Sequence, residues 1–173
     1  MKWLLILFSF CLVNDSISSD KVTKRLIKAA INHNQLWLSN LHEDYCKVLH
    51  PVFLDSIGGC ENLSQKRSAY REYLKANNFL ITNVTIHDSR ILDIRGDTIT
   101  AVLTLSDNII NGGTEYIYRK FLLALSYDQG KTWLFIDTRM ALAPSYQHLV
   151  PHVDIYEDLD WETIKNTEVI RRD

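Results

Sequence analysis

The spacing of apolar residues changes once along this chain, near Phe79, and that change limits the fold more than any other feature. Before it, apolar side chains recur every three or four residues, the repeat of one helix face; after it they alternate, the repeat of a pleated strand. From Asp20 to Leu41 the stripe runs through Val22, Leu26, Ile27, Ala30 and Ile31, with Lys21, Lys24, Arg25 and Lys28 on the other side. It blurs at Asn32-His33-Asn34, whose side chains compete for backbone hydrogen bonds, and resumes at Leu36, Trp37, Leu38 and Leu41. The segment is one long helix or two with a bend. A short second helix fits Glu43 to Leu49 and stops at Pro51, whose ring disfavours helical geometry at His50. Val52 to Ile57 reads as extended, and Gly58-Gly59 breaks it. Ser64 is placed to cap a third helix from Gln65 to Asn77, with Tyr70, Tyr73 and Leu74 on its apolar side.

Residues 79–94 then predict a long strand or a bulged pair, turned by Arg95-Gly96-Asp97. Strand 98–106 sets Ile99, Ala101, Leu103 and Leu105 on one face and Thr98, Thr100, Val102 and Thr104 on the other. DNIINGG turns the chain into strand 115–127, and Asp128-Gln129-Gly130-Lys131 makes a hairpin turn into 132–138. Helices first and an antiparallel meander afterwards define an α+β domain with the helices laid across one sheet face.

The ends carry different information. Lys2, an apolar run from Trp3 to Val13 and the small residues Ser16 and Ser18 form the three parts of a secretory signal cut after Ser18. The run is shorter than the roughly 20 apolar residues that a bilayer core requires, so no stable membrane span is expected. Cys11 raises a lipid-modified alternative, but the bulky Phe10 stands where such processing wants a small residue. The expected organisation is a signal over residues 1–18, one domain over 19–140, and an extension over 141–173 that is docked or disordered. Losing Lys2 and Asp15 leaves 18 basic and 20 acidic side chains, a balance with no basic face for nucleic acid.

Once Cys11 is removed with the signal, Cys46 and Cys60 remain. In a periplasmic or extracellular setting an even count favours a disulfide over two buried thiols. Asn62 and Asn83 begin short glycosylation sequons, which matter only in a host that modifies exported proteins.

The stretch DYCKVLHPVFLDSIGG, the helix SQKRSAYREYLKANN and the closing SYDQGKTWLFID together resemble the nuclear transport factor 2-like superfamily over roughly residues 20–140. The resemblance implies a cystatin-like cone, with helices covering a curved antiparallel sheet and a pocket between them. It also implies a homodimer, although Thr98, Thr100 and Thr104 make the outer sheet face polar here. Within such a cone Tyr45, Tyr118, Phe121, Trp133 and Phe135 are the candidate lining for a small apolar ligand. The fold hosts isomerases, dehydratases and binding proteins alike, so chemistry must come from the site.

An isomerase needs a carboxylate and a neutral hydroxyl donor in one apolar cavity, a pairing that Tyr45 and Asp137 would supply. A dehydratase needs a histidine with an orienting acid, for which His42, His50 and His87 are candidates beside Asp44 or Asp88. His87 and Asp88 face opposite sides of a strand unless a bulge intervenes. His148 and His152 are split by Pro151, and no zinc-type spacing or phosphate-cradling glycine loop is present, so neither metal nor cofactor is expected. The aromatic-rich cavity that the resemblance implies, with no compelling acid–base set beside it, favours a non-catalytic, ligand-binding or self-associating exported domain over an isomerase- or lyase-like enzyme.

Overall fold

A computed structural model describes residues 19–39, 41–138, 146–154, 159 and 168–171. The expected signal over 1–18 lies outside the described residues. Four helices come first: α1 (Ser19–Leu38), α2 (His42–Lys47), α3 (Pro51–Ser56) and α4 (Gly59–Ala76). The strands follow as β1 (Leu80–Arg95), β2 (Thr98–Asn111), β3 (Thr114–Ser126) and β4 (Leu134–Thr138), with β5 (Glu168–Arg171) near the end of the chain. The α+β order read from the periodicity is the order observed.

The first helix is continuous. His33 and Asn34 do not interrupt it, because both are buried on the inward stripe that Val22, Leu26 and Ala30 begin. Two boundaries differ from expectation. Residues 51–56 are helical rather than extended: the His50 side chain accepts a hydrogen bond from the Val52 amide while Pro51 takes the first helical position, where its missing N–H costs nothing. The last helix starts at Gly59, six residues before Gln65, so Ser64 lies inside it rather than capping it. Its cap is Gly58 at φ +85°, a left-handed conformation, and Asn62 in the first turn donates back to the Ile57 carbonyl. Any Cβ at Gly58 would lie 2.7 Å from the Asn62 amide nitrogen.

The sheet is an antiparallel meander in the order β1-β2-β3-β4, curved and unclosed. β2 and β3 pair without interruption from Ile99↔Ser126 to Asn111↔Thr114. β1 against β2 is different: its register shifts between Ile81 and Asn83, Ile86 and Asp88, and Ile91 and Asp93. Each shift adds an unpaired residue to β1 and increases local twist, and three of them along one strand bend the sheet. β5 pairs the first half of β3, from Thr114↔Arg171 to Ile117↔Glu168, and β4 pairs the second half. The described parts of the C-terminal extension therefore dock, and Tyr146, Val150, Val153 and Leu159 join the core.

That core spans both layers. Leu26 and Ala30 of α1, Leu49, and Leu103, Leu123 and Phe135 of the sheet belong to one buried cluster. Helices and sheet are also joined through the backbone. Leu49 bridges Phe135, with the His50 amide donating to the Phe135 carbonyl at 2.8 Å and the Phe135 amide to the Val48 carbonyl at 2.9 Å. Among the described residues no helix is long and apolar enough to cross a membrane.

Candidate functional site

Where α1 ends against α4, polar side chains collect inside the protein. Like every helix, α1 leaves its last carbonyls without intrahelical donors, and it carries no basic residue of its own in the last turn. Arg67, halfway along α4, meets that need from outside: its Nη2 donates to the carbonyls of Leu36 (2.9 Å), Trp37 (2.6 Å) and Ser39 (3.1 Å). Arg71, one turn on, donates to the Trp37 carbonyl at 2.9 Å and to that of Ser39. The Arg67 guanidinium lies over the ring of Tyr45 at 4.3 Å and that of Trp37 at 5.1 Å, in cation–π contact with both. The residue is 2% exposed, and its Nε and Nη1 have no hydrogen-bond partner among the described residues.

Behind Tyr45 lies His33, also 2% exposed, with its ring 5.1 Å from Tyr45 and 4.9 Å from Phe135. The Tyr45 hydroxyl is 3.2 Å from His33 Nε2, and His33 Nδ1 is 3.2 Å from Asn34 Oδ1. Asn34 Oδ1 can only accept, so both bonds are made when Nδ1 carries the proton and Tyr45 donates to Nε2. Burial pushes the His33 pKa down to about 4, aided by the charges of Lys120 and Arg67 and opposed by Asn34 and Asp137. Burial foremost, then the Asp137 charge, pushes the Tyr45 phenol well above its ordinary range. At neutral pH both side chains are therefore uncharged, and the chain of hydrogen bonds holds α1 against α2.

The polar cluster borders a groove of about 310 Å³ between the end of α1, the second half of α4 and the start of β1. Its apolar wall is built from Trp37, Leu38, Leu74, Phe79, Leu80 and Ile81, with Tyr70 beside them. Arg67, Arg71 and Lys75 supply its charges, and among the described residues no carboxylate lines it. These three cations stand four residues apart, one turn each, along one face of α4.

The candidates from the sequence fall into three groups. Tyr45, Phe121, Trp133 and Phe135 are buried together in the core, while Tyr118 is 43% exposed and stands apart on the outer half of β3, stacked with Tyr116. None of the five lines the groove. Asp137, half-buried on β4, lies close enough to raise the pKa of both His33 and Tyr45, but the Tyr45 hydroxyl is bonded to His33. His50 serves the start of α3 through Nδ1 and meets the Tyr127 hydroxyl at 2.9 Å through Nε2. Burial lowers its pKa, with a smaller push from His148.

The remaining histidines are dispersed. His42 on α2 has its pKa lowered by burial first and by Arg67 and Arg71 after that. β1 does bulge at His87, but His87 and Asp88 are both exposed, and His87 bonds Ser106 at 2.8 Å. Asp44 pairs with Lys47 at 2.7 Å on the surface. Cys46 of α2 and Cys60 of α4 form a disulfide, with their Cα atoms 5.8 Å apart.

The sequence reading passed over His33, Asn34 and Arg67. A signal for the first two exists: positions 26, 30, 33, 34 and 37 continue one helical stripe, so polar side chains there must face inward. No protein-family model matches this chain, and no curated protein matches it either.

Proposed function

We propose that this chain is an exported, non-catalytic module of nuclear transport factor 2-like type whose function is to bind a small apolar or amphipathic ligand. The observation that carries the reading is the groove of about 310 Å³, of a size with ordinary small-molecule sites and walled mainly by apolar and aromatic side chains. The place for the ligand in this reading is the groove rather than the concave interior, where Phe121, Phe135 and Tyr45 are themselves core. Export is supported by the Cys46–Cys60 disulfide, since such bonds persist in oxidising compartments. The helices-then-meander order, with a sheet bent by repeated bulges, supports the family reading. Catalysis by Tyr45 finds no such support: its hydroxyl is held by His33 and sealed from solvent, where a general acid or base must reach substrate.

The test is native mass spectrometry on protein stripped of bound lipid by unfolding and refolding, offered a panel of single-chain amphiphiles. Saturable binding of one ligand per chain is expected, and it should be lost when the groove wall is made charged by Leu38→Glu together with Leu80→Glu. Both residues are exposed, so these changes leave the fold in place. Binding that the double variant retains would sink the assignment. The same spectra report whether the chain is a monomer or the homodimer the resemblance implies.

A further inference from the structure

Arg67 is more than a cap for α1. A guanidinium carries five N–H donors in one plane, and cation–π contact uses its faces rather than its edge. The guanidinium carbon lies over the rings of Tyr45 and Trp37, at 4.3 and 5.1 Å, and the Leu36, Trp37 and Ser39 carbonyls take up Nη2. Nε and Nη1 remain, buried and without an acceptor among the described residues, on a side chain that borders the groove. Buried donors left unmade are costly, and those of a charged group most of all. Among the described residues nothing in the groove lining answers them, because the other charged side chains there, Arg71 and Lys75, are also cations. Trp37, Leu74, Phe79 and Leu80 meanwhile offer a continuous apolar wall next to this positive ridge.

We infer that the groove accepts a single-headed amphipathic carboxylate, its head on the buried, unpartnered edge of Arg67 where that side chain borders the groove and its hydrocarbon body along Trp37, Leu74 and Phe79. The inference rests on the ligand-binding reading above and gives that ligand its chemical class. A planar carboxylate matches the fork of a guanidinium edge, through two parallel N–H to oxygen bonds, better than a neutral head could. Lys75, two turns further along α4, extends the positive field along the groove and draws the anion in. Burial of the head makes its pairing resistant to salt, while the attraction from that outer cation is screened.

The experiment titrates the wild-type protein with decanoate, its neutral isostere decanamide, and acetate, following Trp fluorescence and confirming by calorimetry. Decanoate is expected to bind about ten- to a hundredfold more tightly than decanamide, the range for a hydrogen bond to a charged group, with acetate weaker still. Equal affinity for decanoate and decanamide would overturn the carboxylate inference and leave the groove as an apolar site. Equal affinity for acetate and decanoate would overturn the amphipathic part. Binding of none of the three would overturn both the inference and the ligand-binding reading. The comparison is made on one unaltered protein, so no variant need fold. As a second arm, Arg67→Lys keeps the charge and removes the fork, and in variant protein with an unchanged circular dichroism spectrum it should erase most of the preference for decanoate over decanamide.

Discussion

Acid should destabilise this protein through one imidazole. His33 is buried between Tyr45 and Phe135, and burial holds its pKa at about 4 against an ordinary 6.5. The unfolded chain takes up a proton at this ring near pH 6.5, whereas the folded chain does not until about 4, so the unfolded state binds more protons throughout that window. Stability is therefore complete above about 6.5, falls as the pH drops through the window, and levels off for this group below about 4. With about 1.4 kcal/mol for each unit of difference, the loss is on the order of 3 kcal/mol, a large share of the 5–15 kcal/mol typical of a folded domain. His42 and His50 also have lowered pKa values and add to the loss with the same sign.

Isolating His33 requires a variant that removes the titration without stranding the buried Tyr45 hydroxyl. His33→Phe keeps a ring in place but leaves the Tyr45 hydroxyl buried and unbonded, so His33→Phe/Tyr45→Phe is the informative pair. Urea unfolding followed by circular dichroism, at several pH values from about 7 to 4, should give the double variant a shallower stability profile by about one proton's worth, near 1.4 kcal/mol per pH unit in mid-window. Parallel profiles for wild type and double variant would refute the reasoning.

Three further outcomes are expected. Replacing both cysteines, Cys46→Ser/Cys60→Ser, should cost about 3 kcal/mol in chemical denaturation, the value for closing a loop of this length, and reducing agent should then have no added effect. Asp128 accepts hydrogen bonds from the Lys131 and Thr132 amides and the Thr132 hydroxyl, which hold its pKa at about 2, so the stability it supplies is present above about pH 4 and lost as the pH falls toward 2. Asp128→Ala should flatten the melting temperature across that acid window and lower it at neutral pH. A Cβ added at Gly130, where φ is +75°, would lie 3.2 Å from Val22 and 3.4 Å from Ile99 and Trp133, whereas one at Gly96, where φ is +57°, would meet open space. Both substitutions to Ala carry about 1 kcal/mol of backbone strain, and Gly130→Ala should lose about a further 1–2 kcal/mol by overpacking, measured as a difference in unfolding free energy between the two variants.

What could be read from the sequence was whatever a repeat of residues along one segment decides. The long strands showed themselves because alternation over β2 and β3 is sustained, and α1 because its stripe repeats for five turns. α3 did not, since six residues from Pro51 are too few for a period, and its state is decided by a cap from the His50 ring. The early start of α4 was hidden by GCENL, a polar segment whose helicity depends on Gly58 taking a left-handed turn. The cysteine pair was legible from a count of two. The groove was not, because Arg67 meets Leu36 and Trp37 across some thirty residues, and nothing local to either segment records that meeting. His87 needed a bulge, which the alternation around it conceals.

The bridge between Leu49 and Phe135 has a consequence for how the molecule comes apart. It links the helical half to the last strand of the meander across 86 positions of sequence, by two backbone bonds that also place His50 at the head of α3. Contacts of such separation form late, after the local hairpins and helices exist to be joined. Once made, they deny either half an independent opening, because peeling the helices away strips donors from β4. Amides of Phe135 and His50 should accordingly exchange with solvent only in whole-molecule unfolding events, at the same rate as those in the centre of β3, so that helices and sheet form one cooperative unit.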